Sequence, residues 1–138
     1  MTREKRVTGV GGIFFKVADP AATRDWYQRH LGMTSDEYGT NFEFRQADNP
    51  GEKGFCLWSP FRADSDHFEG QLMPNFRVEN LDSLLATLRT EGVEVVQEIE
   101  THDYGKFAQV IDGDGMKIEL WEPVDTAYDE MIGDARTK

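Results

Sequence analysis

The chain has 138 residues, 38% of them apolar and 12% aromatic, and a formal net charge of −11. That is the size of one ordinary domain with enough apolar material to bury a core, so a disordered chain is excluded. The acidity speaks against nucleic acid or anionic membrane as partners, and no apolar run approaches the length of a membrane span. The opening MTREKRVTG is charged with no apolar segment behind it, so no secretory leader is expected. The single Cys56 can form no internal disulfide, and a reducing cytoplasm is the expected compartment.

Gly12–Val17 (GIFFKV) reads as the first strand. Asp19 then offers an N-cap and Pro20 a first helical residue, so a helix is expected over AATRDWYQRHL until Gly32 closes it. Three strands should follow, over Thr34–Tyr38, Asn41–Gln46 and Gly54–Trp58, with the turn sequence DNPGEKG before the last. The polar connector FRADSDHFEG leads to a strand over Met73–Val78. Asn80 is the next N-cap, and Leu81, Leu84, Leu85 and Leu88 form an apolar helical stripe that ends at Gly92. Strands are then expected over Glu94–Ile99, Phe107–Ile111 and Met116–Trp121, the last two joined by the hairpin signal Asp112-Gly113-Asp114-Gly115. Residues 125–138 form a tail with a short helix around Thr126–Ile132.

The order strand–helix–strand–strand–strand thus occurs twice, and Leu57-Trp58-Ser59-Pro60 is echoed by Leu120-Trp121-Glu122-Pro123. Two copies are too few for a solenoid, and a pair of modules about a pseudo-two-fold axis fits better. Whether the modules pair within one chain or between two is left open by the sequence.

The stretches FFKVADPAATRDWYQRHLGM, RVENLDSLLATLRTEGVEV and YGKFAQVIDGDGMKIELWEP resemble the vicinal oxygen chelate superfamily. That group contains glyoxalase I, bleomycin-resistance proteins and extradiol dioxygenases. The resemblance implies an α+β fold of two βαβββ modules, about 9–62 and 71–124, whose curled mixed sheets form a cup. It implies a single domain over 1–124 and, with the chain length, a homodimer. In metal-using members the first and last strands of each module supply ligands; here those positions carry Gly12, Cys56, Met73 and Glu119. Glycine has no donor and methionine suits a hard or borderline cation poorly. The expectation is therefore no cofactor. The alternative is a divalent ion (Zn, Ni, Fe or Mn) held by Glu119, Cys56 and His67.

Strand alternation gives a reading of the cup independent of that resemblance. If Glu119 points in, so do Lys117 and Trp121, while Ile118 and Leu120 face a helix. The same step turns in Phe14 and Lys16, Cys56 and Trp58, and Met73, Asn75 and Arg77. The helix-facing set is almost wholly apolar; the cup-facing set mixes rings with polar groups, the usual make-up of a small-molecule site. Tyr104, in the loop THDYGKF with His102, is expected near the cup mouth, and the resemblance implies the same place for the connector that carries His67. Cys56 is taken as an inert thiol unless a catalytic partner lies beside it.

Glu119 has three readings: recognition of a cationic or hydroxylated ligand, a structural ion pair with Lys16, Arg77 or Lys117, or a general base. Three functions follow. One is a small-molecule binder in which Phe14, Trp58 and Trp121 stack on a planar or cationic ligand and Glu119 anchors a polar or basic group. Another is a metal-dependent lyase, isomerase or dioxygenase with Glu119 as the catalytic residue. The third is a scaffold whose cup is closed.

Overall fold

The computed structural model describes residues 5–138. Its elements are β1 (Val7–Val17), α1 (Pro20–Leu31), β2 (Thr40–Gln46), β3 (Asn49–Arg62), β4 (Leu72–Val78) and α2 (Leu81–Thr90), then β5 (Val95–His102), β6 (Gly105–Ile111), β7 (Lys117–Pro123), α3 (Asp125–Ile132) and β8 (Arg136–Thr137). The fold is α+β, with one mixed eight-stranded sheet in the order β5-β6-β7-β4-β1-β3-β2-β8. The two halves join through the antiparallel pair β1–β4, so the modules pair within one chain.

Local signals account for the helices. Asp19 accepts the Ala22 amide at 3.2 Å, Pro20 stands at the first helical position, and Gly32 ends α1 at φ 69°. Asn80 accepts the Ser83 amide at 3.1 Å at the start of α2. The hairpin between β6 and β7 is built on Asp112, whose side chain accepts the Asp114 and Met116 amides at 2.8 and 2.9 Å.

The sheet has two unlike faces. On one, Leu81 and Leu85 of α2 pack on Val78, Ala108, Val110 and Leu120. Tyr27 of α1 packs on Trp58 of β3, with ring centroids 4.6 Å apart, and Trp58 also meets Phe15. On the other face, Trp121 and Phe55 pack with Tyr128 and Ile132 of α3, and Phe14 packs with Phe68 and Met73. The alternation of Leu120 and Trp121 between these clusters is the period-two rule of a strand.

The first module departs from expectation. No strand forms over Thr34–Tyr38; there is only a bridge between Asp36 and Gly39. The Asp36 carboxylate accepts the Tyr38 amide at 2.8 Å, and this tight turn bends the chain back. The edge beside β2 is taken instead by β8, paired parallel through Asn41–Arg136 and Phe42–Thr137. The helix expected around Thr126–Ile132 is α3, and both α3 and β8 pack on the body of the fold.

Candidate functional site

The face carrying α3 holds a cavity of about 520 Å³. At its floor sits Glu119, 5% exposed, beside Asn75, which is 1% exposed. Neighbouring strands fix this pair, because Asn75 of β4 lies in register with Glu119 of β7, and Gln109 of β6 lies on its other side. Asn75 Nδ2 donates to Glu119 Oε1 at 2.8 Å and Gln109 Nε2 donates to Oε2 at 3.1 Å. A buried carboxylate is thus held by two neutral amides, and no Lys or Arg among the described residues forms an ion pair with it. His67 stands beside it, with Nε2 3.7 Å from Oε2.

Gly11 keeps the floor open. A Cβ there would land on Asn75 Oδ1 and lie 3.0 Å from Trp121 Cε3. Asn75 Oδ1 itself is buried without a hydrogen-bond partner.

The walls are aromatic. Trp121 stacks on Phe107 at 5.6 Å with 8° between planes, and its Nε1 donates to the Tyr104 carbonyl at 3.2 Å. Gly105, at φ 139°, lets that indole approach, since a Cβ there would collide with Nε1 and with the Glu122 carbonyl. Phe14, Leu57, Ser59 and Phe61 form the opposite wall. Asp36 and Glu100 stand at the rim with His102, and no lysine or arginine lines the cavity among the described residues. Burial raises the Tyr104 phenol pKa, and Glu119 and Glu100 raise it further; burial also raises that of Tyr128, helped by Asp36. The field inside the cavity is therefore negative, and both phenols stay protonated.

Of the residues expected to face the ligand, Phe14, Asn75, Tyr104, Glu119 and Trp121 line this cavity, as does His67. Five do not. Trp58 lies under α1. Cys56 is partly buried beside Phe42, and its thiol is pushed up by burial, opposed by Arg77. Met73 is sealed in the cluster with Phe14 and Phe68. Arg77 is held by Asp125 at 2.9 and 2.6 Å and lies over the Phe44 and Trp121 rings. Lys117 reaches the His67 carbonyl at 3.5 Å. Glu119 has none of the expected structural ion pairs with Lys16, Arg77 or Lys117.

The error on β3 is one of phase. The echo of Leu57-Trp58 in Leu120-Trp121 suggests equal orientation, yet Leu57 lines the cavity and Trp58 does not, the reverse of Leu120 and Trp121. A one-residue slip turns every side chain over. The positions that match across the two halves are Gly12 paired with Leu57, and Asn75 paired with Glu119. Asn75 and Leu57, rather than Met73 and Cys56, therefore stand level with Glu119 and Gly12.

This arrangement does not fit a divalent ion. The four matching positions carry Gly, Leu, Asn and Glu, and both Glu119 oxygens face amide N–H donors that a cation would have to displace. No group of three His, Cys, Asp or Glu is placed to share an ion among the described residues, whereas a catalytic zinc takes three protein ligands.

Several residues of the wall and of the Glu119 cradle had no part in the sequence reading. Gln109 and Phe107 alternate with Ala108 on β6, a pattern available in the sequence but not tied to Glu119. Tyr128, Met131 and Ile132 line the cavity from α3 with helical i, i+3, i+4 spacing, a stripe that a tail would not need.

Residues 9–120 match the model of the Glyoxalase/Bleomycin resistance protein/Dioxygenase superfamily. No curated protein matches by sequence. Among solved structures, methylmalonyl-CoA epimerase from Mycobacterium tuberculosis is 24% identical with a TM-score of 0.62, covering 94% of this chain and 97% of that one. A Streptomyces coelicolor methylmalonyl-CoA epimerase in complex with 2-nitronate-propionyl-CoA is 15% identical with a TM-score of 0.66, covering 86% and 99%. A Legionella pneumophila structure described as NAD-dependent benzaldehyde dehydrogenase is 14% identical with a TM-score of 0.54, covering 81% and 97%. These likenesses establish a shared fold. With four-fifths of its length in one family model, the chain belongs to the glyoxalase/bleomycin resistance protein/dioxygenase superfamily.

Proposed function

We propose that this protein binds a small, planar, cationic molecule in its cup, with Glu119 as the anchor and no metal at the site. The observation that carries this reading is the buried Glu119 carboxylate, held by neutral amides at the floor of an aromatic cavity that no described lysine or arginine lines. A cation there meets a carboxylate at low effective dielectric, where the attraction exceeds its surface value. Trp121, Phe107 and Phe14 add ring faces for stacking and cation–π contact. An anionic substrate, such as a carboxylate or phosphate, would face Glu119, Asp36 and Glu100 with no arginine or lysine among the described lining residues to receive it. A homodimer is part of the proposal, supported by the chain length and the family resemblance.

The test is a matched set of one shape and three charges: benzamidine, benzamide and benzoate, titrated against Trp121 fluorescence in a variant with Trp26 and Trp58 replaced by Phe. Benzamidine should bind about tenfold or more tighter than benzoate, and Glu119→Gln should remove the difference. Equal or tighter binding of benzoate would sink the reading. Native mass spectrometry after exposure to Mn²⁺, Co²⁺ or Zn²⁺ tests the metal-free part, which stoichiometric retention would overturn.

A further inference from the structure

The connector between β3 and β4 places one of the protein's own rings in the proposed site. Phe68 is its anchor, 1% exposed and packed with Phe14 and Met73. The adjacent His67 reaches over the mouth of the cavity. Its imidazole lies flat on Phe61, with centroids 5.4 Å apart and 13° between planes, and edge-on to Phe68. Its Nε2 points to Glu119 Oε2 at 3.7 Å. A planar ring with a nitrogen donor, stacked on an aromatic wall beside the buried carboxylate, has the chemistry that the cup would recognise in a ligand.

We propose that His67 is an internal stand-in for the ligand: the cup takes a nitrogen heteroaromatic or amidinium cation whose N–H bonds Glu119 Oε2, and His67 swings out to admit it. This names the ligand class within the reading above and rests on it. Three features make the imidazole displaceable. At 3.7 Å it is beyond hydrogen-bond distance from Glu119, so little is lost when it leaves. Its side chain is 42% exposed, so a rotamer change carries it into solvent. Phe68 and the Lys117 contact to the His67 carbonyl hold the backbone, so the connector need not move. Among the described residues Oε2 accepts a single hydrogen bond, from Gln109, and a carboxylate oxygen can take a second. Because the stand-in competes with the ligand, the free protein binds less tightly than an emptied cup, by the fraction of time the imidazole is away.

The experiment is chemical replacement of the ring. His67→Ala should bind 2-aminobenzimidazole and benzamidine about tenfold more tightly than the unaltered protein. It should also take up free imidazole, which the unaltered protein should not, and His67→Ala with Glu119→Gln should lose that uptake. His67→Phe, which keeps the stacked ring without its N–H, is the second variant and should not take up imidazole. Equal or weaker binding of the two cations by His67→Ala would overturn the stand-in while leaving a cationic cup intact. If neither protein binds any of these cations, the reading of the cup falls as well, so the two failures are distinguishable.

Discussion

Glu119 shows how much a single residue's meaning depends on what stands beside it. Its inward direction follows from alternation along KIELWEP, but its neutral cradle does not, because Asn75 and Gln109 arrive from other strands. Gly11 belongs to the same unit. Gly11→Ala would press a methyl group into Asn75 and Trp121, so it should cost about 1–3 kcal/mol in urea denaturation and weaken benzamidine binding. Tyr128 gives a prediction about pH. Its hydroxyl donates to Asn41 Oδ1 at 2.5 Å, and burial raises its pKa above the ordinary 10.0, as it does for Tyr104. In the unfolded chain these phenols ionise near pH 10.0; in the folded protein they resist. Their contribution to stability is therefore whole below that pH and is lost as pH rises from there toward the raised folded values. Urea midpoints should fall steeply above pH 10.0, and Tyr128→Phe should flatten that fall; an unchanged slope would place the alkaline sensitivity elsewhere.

At the scale of elements, short-range chemistry explains the helices and long-range pairing explains the edge. Asn80→Ala removes the side-chain cap of α2 and should cost about 1 kcal/mol, read from the urea midpoint. The helix α1 has no buried residue, with Trp26 and Leu31 about half exposed, and packs chiefly through Tyr27 on Trp58. Its caps were plain in the sequence, whereas the phase of the strand beneath it was not. A repeat of Leu-Trp identifies two similar strands without fixing which face each residue takes, because the pleat is read by neighbours and not by composition. The C-terminal segment is fastened by Arg136, which donates to the Glu43 carboxylate at 2.8 Å and to the Asp129 and Gly133 carbonyls at 2.8 and 2.9 Å. Arg136→Met should detach β8 from β2 and loosen α3, which walls the cavity. Amide exchange at Asn41 and Phe42 should accelerate, and the melting temperature should drop by roughly 5 °C. Protection that survives the substitution would show that Tyr128 and Ile132 hold the segment unaided.

Over the whole molecule, one sheet runs through both halves by the β1–β4 seam, and Phe55 of β3 shares a core cluster with Trp121 of β7, so opening either half strips pairing and packing from the other. Unfolding should be a single transition. Trp58 reports on the first half and Trp121 on the second, so variants retaining one or the other should show coincident urea curves. Separated midpoints would mean that the halves unfold independently. The net charge of −11 adds self-repulsion, which moderate salt should relieve with a rise in melting temperature.

The sequence by itself determined the elements that local chemistry dictates: both capped helices, the Asp112 hairpin, the strand–helix–strand–strand–strand order of the second half and the helix-facing apolar sides of β4 and β7. Each depends on residues a few positions apart, and the physics of caps, turns and alternation acts over that range. It also directed Asn75, Glu119 and Trp121 inward, since those two strands keep an unbroken period of two. Tertiary structure alone decided the rest. The orientation of Trp58 depends on which strands flank β3, the edge beside β2 was filled by a two-residue strand too short to carry a pattern, and the cradle of Glu119 joins three strands. Such contacts are set when the sheet closes, and nothing local in the chain records them.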